Sequence, residues 1–134
     1  MKTKEIEIKN LLEHEEIDSK AVEKIKSTLL SQRFVPIVVT NAGKNKYVIL
    51  DGHHRFNALK KLGAKKAPCI VVNYEEVELS YWRSEYNYVK RQDVILAALS
   101  GKRFPIKTTR HMFNFNQEDY TVNPSKLLST KNLG

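Results

Sequence analysis

Short runs of β-branched residues alternate along this chain with segments whose apolar residues recur every three or four positions. The strand-like runs are Phe34–Thr40, Tyr47–Leu50 and Cys69–Val72. Helix-like segments follow Asp18, Arg55 and Lys90. Strands that alternate with helices are typical of an α/β domain. We therefore expect a small mixed sheet flanked by helices.

Capping and stop signals set the ends of the predicted helices. The first is capped by Asp18 or Ser19 and runs to about Gln32. The second has about nine residues and stops at Gly63, which can end a helix in a left-handed conformation. A third covers Lys90–Leu99, and Glu75–Arg83 also shows a helical pattern. A helix therefore follows each of the strand-like runs that begin at Tyr47 and Cys69.

The remaining segments are predicted to form one short strand and several loops. Ile6 and Ile8 alternate with charged residues, as in a strand. Loops are expected at Leu11–Asp18, Asn41–Asn45 and Phe104–His111. Residues 114–134 show no clear period. A chain of 134 residues predicts a single domain, residues 1–134, whose regular core spans about residues 5–113.

Apolar runs in this sequence are short. A membrane-spanning helix needs about 20 apolar residues, and no such run is present. The sequence starts with MKTKEIEIKN, which is charged throughout and lacks the apolar region of a secretory signal. The single cysteine, Cys69, cannot form an internal disulfide and is predicted to be a buried, inert thiol. We expect a cytoplasmic protein without a membrane partner.

The positive charge of the chain is unevenly distributed, with a net charge of +8. Residues 31–74 contain eight Lys and Arg against one acidic residue, and residues 101–134 contain six against two. Such blocks attract phosphate on nucleic acid or on a nucleotide, although lysines can also serve solubility alone. The five glycines are not spaced for a Walker A loop or for G-x-G-x-x-G, so a phosphate site must be built differently.

The best candidate for that site is Asp51-Gly52-His53-His54-Arg55, where a strand ends and a helix begins. Free N–H groups at a helix start bind anions, Gly52 lets a phosphate approach the backbone, and Arg55 can bind two phosphate oxygens. His53 and His54 can donate hydrogen bonds or move a proton, and Asp51 can hold Mg²⁺ or orient a nucleophile. The alternatives are a simple helix cap with solvated histidines, or a metal site, which is disfavoured because helical neighbours point apart.

Two further clusters have chemical potential. Lys107-Thr108-Thr109-Arg110-His111 combines hydroxyls, cations and a histidine, as an anion clamp would, with an exposed basic loop as the alternative. His14-Glu15-Glu16 precedes the first helix, where carboxylates commonly serve only the helix dipole. All four histidines of the chain fall within these three clusters, which indicates a shared site. Trp82 either contacts a substrate or belongs to the core.

These residues resemble the ParB/sulfiredoxin superfamily over roughly residues 10–75. The matching segments are Val35-Pro36-Ile37, Ile49 through Arg55, Leu59 through Gly63, and Pro68. The resemblance implies a ParB/sulfiredoxin-like fold in which the Gly-x-x-Arg segment at a helix start binds nucleotide phosphates. Sulfiredoxin chemistry is not expected, because His53 stands where that chemistry needs a cysteine. Partition proteins of the superfamily carry Glu-Arg-Arg after the glycine and a helix-turn-helix domain beyond, and neither is evident here.

With the clusters at His14-Glu15 and Lys107–His111, the chain resembles the free L-serine kinases of that superfamily to about residue 113. This resemblance implies transfer of a phosphoryl group from ADP or ATP to the hydroxyl of free L-serine, with Mg²⁺ held by Asp51. It implies catalytic roles for Glu15 and Asp51. It implies nucleotide or phosphate contacts by Val35, Gly52, His53, His54 and Arg55. It implies phosphate or serine contacts by Trp82, Thr108, Thr109, Arg110 and His111.

Two alternatives to a free-serine kinase stay open. A nucleotide-dependent DNA-binding or regulatory protein would share the phosphate turn and the positive charge but would not need Glu15. A kinase that acts on protein serine would use the same chemistry on another acceptor. The family members are considerably longer than this chain, so a second subunit of a homo-oligomer could supply missing parts. The expected partners are a nucleotide and free L-serine, whereas nucleic acid is not expected.

Overall fold

The computed structural model describes residues 3–127, which contain a five-stranded mixed sheet. Its strands are β1 (Lys4–Glu7), β2 (Leu11–Leu12), β3 (Ile37–Gly43), β4 (Lys46–Asp51) and β5 (Lys66–Val72). The α-helices within these residues are α1 (Ser19–Thr28), α2 (His53–Lys61) and α3 (Arg91–Ser100). A separate antiparallel pair consists of β6 (Glu78–Ser80) and β7 (Arg110–Met112). The predicted α/β class, with a small mixed sheet and helices, is confirmed.

The strand order, β1-β5-β3-β4-β2, places β3 at the centre of the sheet. Strand β3 is parallel to β5 and antiparallel to β4, while β1 and β2 form the two edges. Helix α2 connects β4 to β5 and begins almost where β4 ends. Only Gly52 separates Asp51, the last residue of the strand, from His53, the first residue of the helix. The predicted strand–helix junction is therefore present, and α2 has the predicted nine residues.

Side chains of the central strands alternate between two apolar cores, as the period of a strand requires. Ile49 packs with Phe56 of α2 in the core that also includes α1. Its neighbours Val48 and Leu50 point the other way and pack with Val94 of α3. Burial on both faces makes the end of β4 a rigid support for the turn that follows it.

The prediction of a helix over Glu75–Arg83 is wrong. The chain makes a 3₁₀ turn at Tyr74–Glu76 and then enters β6. Strand β6 pairs with β7, whose first residues lie in the predicted loop Phe104–His111. The pairing partner is distant in sequence, and tertiary pairing of this kind overrides local propensity.

Other predicted boundaries also need correction. Leu11–Leu12, predicted as loop, pairs in parallel with β4. Strand β1 ends at Glu7, so Ile8 lies in a 3₁₀ turn. Strand β3 starts after Pro36 and runs to Gly43, which shortens the predicted turn to Lys44-Asn45. Beyond β7 the chain makes 3₁₀ turns at Gln117–Tyr120 and Pro124–Lys126, and residues 128–134 of the predicted irregular segment lie outside the described residues.

Helix α1 ends at Thr28 rather than near Gln32. The hydroxyl of Ser27 donates to the carbonyl of Lys24 at 2.7 Å, and that of Ser31 donates to the carbonyl of Thr28 at 2.9 Å. Hydroxyl groups that bond to nearby carbonyls compete with the helical ladder and favour its end. The predicted start is confirmed.

The structure bears on two sequence predictions, the absence of a membrane-spanning helix and the state of Cys69. Within residues 3–127, no helix is long and apolar enough to cross a bilayer. Cys69 is fully buried in β5, and burial raises the pKa of its thiol to about 12. The prediction that Cys69 is buried is confirmed, and the raised pKa disfavours the thiolate, which is the reactive form.

Candidate functional site

The three predicted clusters border one cleft of about 350 Å³. One wall is the start of α2, the second is the segment that precedes α1, and the third is the segment that leads into β7. The lining residues from the clusters are Glu15, Glu16, Asp51, Gly52, His53, His54, Arg55, Lys107, Thr109, Arg110 and His111. The structure thus brings together segments that are distant in the sequence.

Glu15 is the buried carboxylate of this cleft. It accepts hydrogen bonds from the backbone N–H of Lys107 at 3.0 Å and of Thr109 at 3.1 Å, and a short one from the Thr109 hydroxyl. Backbone hydrogen bonds between residues 14–16 and Phe104 fix its segment. Burial raises the pKa of Glu15, and the hydrogen bonds from Thr109 and Lys107 oppose that rise. Glu15 therefore binds the 107–109 segment. The alternative that its carboxylate serves only the dipole of α1 does not account for these hydrogen bonds.

Three histidine rings pack together beside Glu15, and two of them, His14 and His53, are buried. The ring centroid of His14 is 4.6 Å from that of His53 and 5.7 Å from that of His111, both in edge-to-face contact. His111 Nε2 hydrogen-bonds with the Tyr74 hydroxyl at 2.8 Å. Neither ring nitrogen of His14 has a hydrogen bond of normal geometry among residues 3–127. Burial lowers the pKa of His14 to about 3, helped by the neighbouring His111, and lowers the pKa of His111 to about 4.

His53 and His54 both contact backbone amides. The N–H of His14 donates to Nε2 of His53 at 3.2 Å, and the N–H of Asp18 donates to Nε2 of His54 at 3.0 Å. Since a backbone amide can only donate, each of these ring nitrogens is unprotonated and the ring proton lies on Nδ1. His53 is buried, so the alternative of solvated histidines is wrong for this residue.

Arg55 folds back onto the start of β3. Its Nε donates to the carbonyl of Val35 at 3.0 Å, and its Nη2 donates to the carbonyl of Pro36 at 3.2 Å. Nη2 also lies 3.3 Å from Oδ2 of Asp51 and 3.4 Å from Oε1 of Gln117. A phosphate would therefore bind Arg55 through Nη1 or replace one of these partners. Arg55 also stabilises the turn itself.

Both the backbone conformation and the limited space favour glycine at position 52. Its φ is +111°, a conformation that residues with a side chain rarely adopt. A Cβ atom at this position would also lie 2.9 Å from Nη2 of Arg55 and 3.1 Å from Cγ1 of Ile37. Gly52 thus allows Arg55 to pack against the strand–helix junction.

We expect Gly52→Ala to lower the free energy of unfolding by about 2–4 kcal/mol, because backbone strain adds to a steric clash. Gly63→Ala is the matched control, since its φ is +82° and nothing lies within 4 Å of the added Cβ. It should lose only about 1–2 kcal/mol from backbone strain. Urea denaturation of both variants measures the difference. Equal losses would show that packing against Arg55 does not require the glycine.

Asp51 is the carboxylate best placed to share a metal ion with a ligand. Its side chain lines the cleft beside the turn at residues 52–55 and is 44% exposed. Among residues 3–127, no group of three or more His, Cys, Asp or Glu could hold a metal ion. Mg²⁺, however, commonly binds one or two carboxylates together with substrate phosphates. Asp51 fits a magnesium ion that arrives with a nucleotide, whereas a site built on the two adjacent histidines is not supported.

The Lys107–His111 segment contains residues that face the cleft and one that does not. The guanidinium of Arg110 lies 4.6 Å from the ring centroid of Trp82. Trp82 is 55% exposed and lines the cleft, so the alternative that it belongs to the core is wrong. Thr108 is fully buried and donates to the carbonyl of Pro105 at 2.6 Å. Thr108 is not among the residues that line the cleft.

Val35 lines a groove of about 190 Å³ that adjoins the cleft. The groove and the cleft share Ile25 and Arg55 in their walls. The groove is partly apolar, with Leu29 and Phe34 beside Val35. A flat apolar group could therefore lie against Val35 while an attached anion reaches Arg55.

A larger cleft of about 790 Å³ lies elsewhere and contains none of the predicted site residues. Its wall includes Leu12 and Phe56, with Lys60 and Lys65 beside them. Groups with strongly shifted pKa values cluster at functional sites. Glu15, His53 and His111, whose pKa values are shifted mainly by burial, line the smaller cleft, which is therefore the better candidate.

Two contacts of the site have no signal in the sequence. Tyr74 hydrogen-bonds with His111, and Gln117 contacts Arg55. Each contact joins segments that are far apart in sequence, and Gln117 lies in a segment without a period. Such contacts depend on the tertiary arrangement and cannot be read from local patterns.

Residues 1–82 match the family model described as the ParB N-terminal domain. Over 82 residues the chain is 42% identical to an ATP-dependent L-serine kinase of Desulfurococcus mucosus. The matched region covers 58% of this chain and 32% of the relative. It is 37% identical over 82 residues to the ADP-dependent L-serine kinase SerK of Thermococcus kodakarensis, with 58% and 34% covered. The matched part is about a third of the length of these curated relatives.

Two solved structures share the fold of this chain. The structure of SbnI with C-terminal truncation from Staphylococcus aureus has a TM-score of 0.81 at 15% identity, and the match covers 96% of this chain and 90% of that one. A free serine kinase in complex with AMP has a TM-score of 0.76 at 19% identity, with 87% and 89% covered. At these identities the likeness concerns the fold.

Proposed function

Because this chain belongs to the ParB N-terminal domain family, we propose that its strand–helix turn binds a nucleotide and that the cleft transfers a phosphoryl group to free L-serine. The donor is ADP or ATP, and the product is O-phospho-L-serine. The relatives described as ATP-dependent and ADP-dependent L-serine kinases support this acceptor and these donors.

The observation that carries the proposal is a buried carboxylate that faces the same cleft as the strand–helix turn at residues 51–55. Glu15 and residues 51–55 come from separate segments, yet both line the cleft. Phosphoryl transfer needs little covalent chemistry from a protein, because a positioned nucleophile and neutralised phosphate charge are sufficient. A protein that only binds nucleotide and DNA needs the turn but has no use for the buried carboxylate.

In this proposal Glu15 accepts the proton of the serine hydroxyl while that oxygen attacks the terminal phosphorus of the nucleotide. The new bond joins the serine oxygen to phosphorus, and the bond from phosphorus to the leaving nucleotide oxygen breaks. Burial raises the pKa of Glu15, which brings it closer to neutral pH, where a general base works best. The hydrogen bonds from Lys107 and Thr109 fix the direction of the carboxylate.

The charged residues of the cleft suit the transferred group. Arg55, Lys107 and Arg110 line it and would neutralise phosphate charge. Asp51 would hold Mg²⁺ together with the nucleotide phosphates, and the ion would add further charge neutralisation. The nucleoside would occupy the groove beside Val35.

The test is an acceptor assay with purified protein, free L-serine, Mg²⁺ and either ADP or ATP, scored for O-phosphoserine by mass spectrometry. We expect product with at least one donor and none without serine. Phosphate found on added protein instead of free serine would favour a protein-serine kinase. No product, together with tight duplex binding that resists physiological salt, would favour a DNA-binding protein, since weak electrostatic binding to DNA is lost as salt rises.

We expect Trp82→Ala to raise the KM for serine or the Kd of the nucleotide about 3- to 10-fold, because Arg110 loses the ring over which it is held. Tyr88→Ala is the matched control, since Tyr88 is an exposed aromatic residue that does not line the cleft. Steady-state kinetics and calorimetry measure the two constants. Similar changes in both variants would count against a role for Trp82 in the site.

A further inference from the structure

The adjacent histidines at the start of α2 contact the two ends of one short segment. His53 accepts from the N–H of His14, and His54 accepts from the N–H of Asp18. Glu15 lies between these two amides. Both rings belong to the first turn of α2, which follows directly on the buried strand β4. The backbone that carries Glu15 is therefore anchored at both ends to a rigid element.

These hydrogen bonds meet a local need of the backbone. His14 is fully buried, and a buried N–H without a partner is costly. The segment 13–18 contains no helix and no extended strand, apart from its pairing with Phe104. The ring nitrogens thus supply acceptors that secondary structure does not.

The same hydrogen bonds limit what the two rings can do for a phosphate. A ring nitrogen that accepts from an N–H cannot donate to an anion from that atom. In each residue the occupied atom is Nε2, the outer nitrogen of the ring. His53 is also only 8% exposed, which restricts access to its other nitrogen.

We propose that His53 and His54 are positioning residues, which hold the Glu15 segment in place as hydrogen-bond acceptors at Nε2. This inference rests on the proposed function, in which Glu15 meets the serine hydroxyl. The hydrogen bonds from residues 107–109 fix the carboxylate, and the histidines fix the backbone behind it. A shift of about 1 Å in a reacting group can cost roughly 100-fold in rate.

Two substitutions of His54 test the proposal. In His54→Gln the amide oxygen can take the place of Nε2 as an acceptor, whereas His54→Met has a similar length and no comparable acceptor. We expect His54→Met to speed the amide exchange of Asp18 at least about tenfold and to lower kcat for serine about 10- to 100-fold. His54→Gln should restore both the exchange rate and kcat.

In the wild-type protein, a scalar coupling between the amide nitrogen of Asp18 and Nε2 of His54 should report the hydrogen bond directly by NMR. The proposal is overturned if this coupling is absent, or if His54→Met keeps wild-type exchange and kcat. It is also overturned if His54→Gln, which keeps an acceptor, loses as much kcat as His54→Met does. If the wild-type protein phosphorylates no serine, the proposed function fails, while the coupling and the exchange still decide whether His54 anchors the segment.

Discussion

Glu15→Gln is expected to lower the rate of serine phosphorylation about 10²- to 10⁴-fold, because glutamine keeps the shape of the side chain and cannot accept the hydroxyl proton. Nucleotide affinity should change little, since the turn at residues 51–55 is untouched. Single-turnover measurements with saturating nucleotide give the rate of the chemical step, and calorimetry gives the affinity.

The fold should tolerate this substitution because two effects oppose each other. Burial raises the pKa of Glu15, so the ionised carboxylate costs folding free energy at neutral pH, and a neutral amide removes that cost. The amide nitrogen, however, would face the N–H of either Lys107 or Thr109, where the carboxylate accepted a hydrogen bond. We expect the melting temperature to move by only about a few degrees.

Glu16→Gln is the matched control for Glu15→Gln. Glu16 also lines the cleft, but its side chain is exposed. Its substitution should be far milder. If the two variants behave alike, or if Glu15→Gln keeps nearly full turnover, Glu15 is not the base, and Asp51 would have to orient the hydroxyl alone.

Mild acid is expected to destabilise the fold strongly through His14 and His111. The pKa of these rings is about 3 and about 4 in the folded protein, against 6.5 in an unperturbed histidine. Between these values the unfolded chain binds more protons, so the free energy of unfolding falls as the pH drops below 6.5. The two rings together remove on the order of 4 kcal/mol between pH 6.5 and 4.5, a large share of the roughly 5–15 kcal/mol typical of a domain. Protonation of Glu15, whose pKa is raised, partly opposes this loss.

Urea denaturation at a series of pH values between 7.5 and 4.5 measures this dependence. His111→Phe keeps an aromatic ring and removes one proton-binding group. This variant also loses the hydrogen bond with Tyr74, so its stability is lower at every pH. Between pH 6 and 5 its pH dependence should nevertheless be shallower by up to about 1.4 kcal/mol per pH unit, the full contribution of one group. A slope equal to that of the wild-type protein would contradict the assignment to this residue.

Local sequence patterns were sufficient to locate the strand–helix junction, α2 and α3. A run of β-branched residues, a glycine and a helical period all lie within a few residues of the junction at Asp51–Arg55. The distribution of the four histidines also indicated that three distant clusters share one place. These features depend on neighbours in the sequence or on the chemical identity of the residues.

Pairing between distant segments could not be predicted in the same way. The segment Glu75–Arg83 shows a helical pattern, but its strand β6 exists because β7 is there to pair with it. The hydrogen bonds to Glu15 come from residues 107–109, and no local pattern marks them. The roles of His53 and His54 could not be predicted either. A histidine that accepts from a backbone amide cannot be distinguished in the sequence from one that donates to phosphate.

Glu15 and Thr109, which meet in the cleft, are 94 residues apart in the sequence. Closing so long a loop costs conformational entropy that must be offset by the assembled sheet and helices between them. The hairpin of β3 and β4 and the helix α2 involve near neighbours and should form early in folding. During synthesis, we therefore expect the turn at residues 51–55 to fold before the hydrogen bonds that fix the Glu15 carboxylate can form, because residues 107–109 are made later.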